Sequence, residues 1–123
     1  MDKHWIPWFE IPVIDLQRAV NFYETIFAIK IQIEDFGELK MGVLPHGNSG
    51  GALIQNSTYY KPSSTHGPLL YLNGGDNLLN VSNKVESAGG KIEIPKRQIS
   101  PEHGYMAIII DTEGNRIALH SMN

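Results

Sequence analysis

Asp15-Leu-Gln-Arg-Ala-Val-Asn-Phe-Tyr-Glu-Thr-Ile-Phe-Ala-Ile-Lys-Ile-Gln-Ile33 decides how this chain is read. Sixty-one positions later, Asp76-Asn-Leu-Leu-Asn-Val-Ser-Asn-Lys-Val-Glu-Ser-Ala-Gly-Gly-Lys-Ile-Glu-Ile94 repeats its plan. In each copy an aspartate able to cap a helix is followed by apolar residues at helical spacing and then by a Lys-Ile-x-Ile segment that alternates like a half-buried strand. Leu16, Val20, Tyr23 and Phe27 form the first helical stripe; Leu78, Val81, Val85 and Ala88 form the second, stopped by Gly89-Gly90. Trp8 and Leu69 fall at the same offset in the apolar segments that precede the two helices. After an insertion of five residues the match resumes: Ala52-Leu53 follows the turn from Pro45 to Gly51 as Ala118-Leu119 follows the turn from Asp111 to Ile117. A repeat of this length restricts the folds to be considered more than any local pattern does.

Working outward, Trp5 to Val13 reads as a strand, Leu39 to Leu44 as another and Ala52 to Gln55 as a third, with Pro45 to Gly50 dense in turn formers. The first half is therefore β-α-β-β-β. Leu69 to Leu72, Lys91 to Ile94, Tyr105 to Ile110 and Asn115 to His120 give the second half the same order, and Gly114 suits the positive φ of a tight hairpin. The stretch between the halves is polar and broken by Pro and Gly. Two modules, 1–56 and 68–123, joined by a linker at 57–67 and forming one domain, are the expected organisation.

Composition narrows the function classes. The chain has 123 residues, 41% of them hydrophobic, enough to bury one core. A formal net charge of -3 with mixed signs leaves no basic stripe for nucleic acid. The absence of cysteine excludes disulfides, thiolate catalysis and cysteine-held metal. No apolar run reaches bilayer length and the opening Met-Asp-Lys-His-Trp lacks a secretory layout, so a cytoplasmic protein without membrane contact is expected. Asn48-Ser-Gly-Gly lacks the Lys-Ser/Thr of a phosphate loop and precedes a strand.

The duplicated pattern resembles the vicinal oxygen chelate superfamily, which includes glyoxalase I, bleomycin resistance proteins and extradiol dioxygenases. The resemblance rests on Val13-Ile14-Asp15-Leu16 with Asn21-Phe22-Tyr23, on Val85-Glu-Ser-Ala-Gly-Gly-Lys91, and on Asp111-Thr-Glu-Gly-Asn-Arg-Ile-Ala-Leu-His120. It implies an α+β fold of two tandem βαβββ modules forming a half-open barrel, a small molecule or metal in the cleft, and a homodimer, in which modules are sometimes shared between chains. It also places the metal ligands of metal-using members at positions held here by Trp8, Ala52, Leu69 and Ala118. None of these side chains can ligate a divalent cation. No metal and no other cofactor is therefore expected.

Polar candidates lie close to those positions. Glu10 shares a strand face with Trp8, and His120 with Ala118, because side chains two apart point the same way. They are the candidate catalytic pair, a carboxylate and an imidazole able to recognise or deprotonate a substrate; the alternative is that both are solvated or paired surface groups. Leu69, Tyr71 and Asn73 alternate on one face. His103 and Tyr105 stand at the rim of a hairpin, where a loop can close over a ligand. Trp8, Glu10, Tyr71, Asn73, His103, Tyr105 and His120 are thus the expected ligand-binding set, while His4, His46 and His66 read as surface residues. The expected function is metal-free binding of a small organic molecule in an apolar cleft. The alternatives are a lyase or isomerase of the glyoxalase I type, metal-free or with a displaced metal site, and a dimeric interaction module.

Overall fold

The computed structural model describes residues 5–47 and 49–123; His4 and the Asn48 of the first module's turn lie outside them. The first module runs β1 (Trp8–Pro12), α1 (Leu16–Phe27), β2 (Gln32–Asp35), β3 (Lys40–Val43), β4 (Gly50–Gln55), and the second runs β5 (Leu70–Asn73), α2 (Leu79–Ser82), β6 (Lys91–Ser100), β7 (Gly104–Ile110), β8 (Arg116–Ser121). Each builds a four-stranded sheet of the same order, β1-β4-β3-β2 and β5-β8-β7-β6, in which the first and last strands of the module pair in parallel. The α+β architecture of two tandem βαβββ units is the one expected from the repeat.

One core joins the modules. Ile11 and Leu53 of the first sheet with Val13 just after β1, Ala107, Ile109, Ile117 and Leu119 of the second, and the apolar stripes of both helical segments bury together. Period-two alternation then turns the other faces away from this core: Trp8 and Glu10 in β1, and Tyr71, Asn73 and His120 in β5 and β8.

The hairpin turn between β7 and β8 locks the arrangement. The Glu113 carboxylate accepts the N–H groups of Ile14 and Asp15 at 2.9 and 2.8 Å, both N–H arms of Arg18 at 2.8 and 3.0 Å, and the Thr112 hydroxyl at 2.8 Å. Beside it the buried Tyr23 hydroxyl donates to Asp111 at 2.6 Å, and the Asn115 amide donates to the Pro12 carbonyl at 2.7 Å. Gly114 has φ +93°, as the tight turn requires. Burial works to raise the Glu113 pKa, but the hydrogen bonds from Arg18, Asp15, Thr112 and Ile14 outweigh it and hold the carboxyl below its ordinary value. Burial first, then the charge and hydrogen bond of Asp111, push the Tyr23 hydroxyl well above its ordinary value.

The two helices differ in quality. Asp15 caps α1, accepting the Arg18 N–H at 3.1 Å. Asp76 does not cap α2, contrary to the repeat; the α-turns start after Leu78, and the Asn77 side chain accepts the Leu79 N–H at 3.0 Å. Only four residues wind as α-helix there, continued by looser turns to Gly90, although Leu78, Val81 and Val85 are buried as expected. Asn80, Ser82, Asn83 and Ser87 are residue types that favour helices weakly, and the Ser87 hydroxyl donates to the Lys84 carbonyl at 3.2 Å. The second strand of the second module also runs further than expected: β6 continues through Pro95 to Ser100, absorbing the extra residues in three register shifts against β7. Proline is tolerated because β6 is a sheet edge.

Two expectations follow. Glu113→Gln should cost about 1–3 kcal/mol in urea unfolding at neutral pH. Because the native carboxyl titrates below its ordinary value, its stabilisation is present above the ordinary glutamate range and is lost as pH falls through the lower native value, so wild type and variant should converge in acid. Separately, α1 ends on Ala28 at φ 54°, where the second module has Gly89 at φ 106°. Ala28→Gly should raise stability by about 1 kcal/mol, read as a higher unfolding midpoint.

Candidate functional site

Trp8 and Glu10 look outward from β1 side by side, the indole N–H donating to the Glu10 carboxylate at 3.3 Å. The His46 ring meets the indole edge-on at 5.9 Å between centroids. Tyr60, from the connector between modules, donates its hydroxyl to the other Glu10 oxygen at 2.6 Å. This bond, then partial burial, raises the Tyr60 pKa. Sequence reasoning missed Tyr60 because the path of a connector is set by tertiary contacts; the Tyr59-Tyr60 pair in a polar stretch was the only signal.

The second sheet gathers another group. Tyr71, Asn73 and His120 line one cavity of about 500 Å³. His120 Nε2 lies 2.6 Å from the His103 carbonyl. A carbonyl only accepts, so the neutral imidazole carries its proton on Nε2 and keeps the Nδ1 lone pair free. The Asn73 side-chain oxygen accepts the Gly75 N–H at 2.8 Å, which leaves its amide N–H₂ to donate. Asn73 and His120 are direct partners across β5 and β8. His103 itself is exposed in the turn between β6 and β7 and joins this group through its backbone.

Tyr105 stands apart from both groups. It alternates with Ala107 and Ile109 and packs against the shared core, with Lys96 Nζ 4.6 Å from its ring centre. Glu10 and His120 do not share a cavity. Glu10 lines one of about 370 Å³ with Lys61, Leu70 and Arg116, and His120 lines the 500 Å³ cavity at the end of the second sheet.

The four positions to which the resemblance assigns metal ligands do not fit a cation. Ala52 and Ala118 are fully buried methyl groups on the faces of Trp8 and Tyr71, Leu69 packs against Met106 and Ile108, and an indole N–H has no lone pair to give. Among the described residues no group of three or more His, Asp or Glu side chains is placed to hold a metal ion. No helix there is long and apolar enough to cross a membrane.

Residues 5–119 match the family model described as the Glyoxalase/Bleomycin resistance protein/Dioxygenase superfamily. The chain belongs to this superfamily. Solved structures agree in fold. A hypothetical protein from S. aureus superposes with TM-score 0.72 at 21% identity, covering 98% of this chain and 95% of that one. The trypanothione-dependent glyoxalase I of Leishmania major gives TM-score 0.69 at 20% identity over 98% of this chain and 88% of its own. Glyoxalase I from Zea mays gives 0.73 at 21% identity over 94% of this chain, which spans only 44% of the maize enzyme. No curated protein matches the chain.

The Tyr60–Glu10 bond can be read directly. Glu10→Gln should bring the Tyr60 phenol back down toward its ordinary value, seen as an earlier tyrosinate absorbance rise in an alkaline titration; an unchanged titration would show that the two groups do not interact in solution.

Proposed function

We propose that this protein binds a small organic molecule, held by contact area and a few polar groups, in a cleft that two copies of the chain complete together. The reading is carried by the aromatic surface on the outward sheet faces: Trp8 is 41% exposed and Tyr71 51% exposed, beside Ala52 and Ala118 where metal-using relatives carry ligands. In a single chain both sheets spend their other face on one core, and Glu10 and His120 line different cavities. Pairing the Trp8–Glu10 face of one copy with the Tyr71–Asn73–His120 face of another encloses both groups and removes exposed aromatic area from water. Stacking on Trp8 then supplies affinity, and Glu10, Asn73 and His120 fix orientation. A chain with no membrane-spanning helix and no cysteine, working in the cytoplasm, fits this role.

One arrangement favours a second reading, a metal-free lyase or isomerase. The free His120 Nδ1 is a base, and the Asn73 amide on the adjacent strand is a donor that can hold the oxygen of an enolate when a proton is taken beside a carbonyl. His120→Gln separates the readings: it should leave binding of a flat aromatic probe within a few-fold, whereas loss of carbonyl-adjacent proton exchange in deuterated water would establish the enzyme.

Trp8→Ala should weaken a flat aromatic probe by about 1–3 kcal/mol in calorimetry. Sedimentation should give a dimer whose cleft residues are protected from hydrogen exchange at the Trp8 and Tyr71 faces. A monomer that binds such probes with Trp8 replaced overturns the proposal, as does stoichiometric zinc, nickel, iron or manganese in the purified protein.

A further inference from the structure

The internal repeat is closed at one junction between modules and open at the other. At the closed junction the turn Asp111 to Asn115 sends two carboxylates onto α1: Glu113 onto Arg18 and Asp111 onto Tyr23. In the corresponding turn of the first module Pro45 and Ser49 line a cavity with Val81 and Lys84, but Pro45 stands where the second module has Asp111, and Gly47 where it has Glu113. Tyr23, in turn, corresponds to Lys84. The carboxylates have gone and a cation has taken the place of the phenol. At that junction the structure has a cavity of about 850 Å³, walled by Phe9, Ile26, Phe27, Leu44 and Val81, with Lys84 in its lining. Among the described residues Lys84 makes no ion pair.

We propose that this cavity is a binding site for a small carboxylate with an apolar body, whose anionic end pairs with Lys84. Three observations converge. The volume suits a medium-sized organic molecule. The wall is mostly carbon, from side chains of both modules, so an apolar body buries area on each. At the symmetry-related junction an acid of the chain itself, Asp111, meets Tyr23, the residue at the position that corresponds to Lys84. A guest acid takes the part that Asp111 plays in the other half and bridges Pro45 and Ser49 to the α2 segment; Arg18, which holds Glu113, corresponds here to Leu79, so Lys84 is the cation of the lining. Asp76 also lines the cavity and opposes an anion, so Lys84 must outweigh it. Tyr71 and Asn73 line this cavity as well as the one that holds His120, so the two adjoin, but Trp8 and His120 are not among its lining residues and the pairing with Lys84 does not depend on the function proposed for them.

Octanoate, with octanol as its uncharged match, is the probe, followed by amide chemical shifts on the full chain. Octanoate should shift resonances around Phe27, Val81 and Lys84 and bind about tenfold more tightly than octanol. Lys84→Ala should abolish that preference, and Asp76→Asn should increase it. Asn80→Trp, a change at an exposed position of the lining that leaves the core intact, should block both probes. Trp8→Ala should leave binding unchanged. Equal affinity for acid and alcohol, a Lys84→Ala protein with undiminished preference, shifts confined to the surroundings of Trp8 and His120, or no saturable shifts at millimolar probe would each overturn the proposal.

Discussion

The buried carboxylate of Glu113 is the constraint on which the arrangement depends. It lies far along the chain from the residues it binds, and it satisfies the backbone N–H groups of Ile14 and Asp15 where the chain enters α1 while taking both arms of the Arg18 guanidinium. A charge taken out of water is tolerated only when so fully hydrogen-bonded, and the same bonds fix the second hairpin against the first helix. Once the hairpin is seated, the apolar faces of both sheets and both helical segments close into one core. The outward faces are left free for other contacts as a consequence, because a two-faced sheet that commits one side to the interior has only the other to offer.

The modules have diverged where the repeat would otherwise make them redundant. One turn carries acids and latches; its counterpart, with Pro45 and Gly47, does not. One helix is well capped and three turns long, and the other is a short α-segment continued by looser turns. A duplicated fold needs one rigid junction to hold its halves in register. The second can then lose its latch without loss of the core, and space opens there.

Much of the fold was legible from local pattern. The period-two alternation placed Trp8 with Glu10 and Ala118 with His120, and the repeat assigned both modules the same β-α-β-β-β succession. What escaped depended on distant partners. Asp111-Thr-Glu-Gly-Asn reads as a tight hairpin, which it is, but nothing local announces that its acids reach α1. The five apolar or aromatic residues from Tyr105 to Ile109 conceal which of them face the core, so local pattern does not show that Tyr105 packs inward. Asp76 fits a cap by analogy with Asp15, yet the asparagines and serines after it delay the helix. The candidate site was legible as a list of side chains. How they group was not, because whether two faces share a cavity is settled by how the modules pack.

The long strand β6 has a further effect. As an outer edge of its sheet it presents unpaired backbone groups that invite another strand, but Pro95, the cationic Lys91, Lys96 and Arg97, and three register shifts spoil it as a template. At the far edge of the other sheet, β2 is four residues long and carries Glu34 and Asp35. Both outer rims are thereby guarded against runaway sheet growth, which confines any orderly association of chains to the flat faces and inner margins.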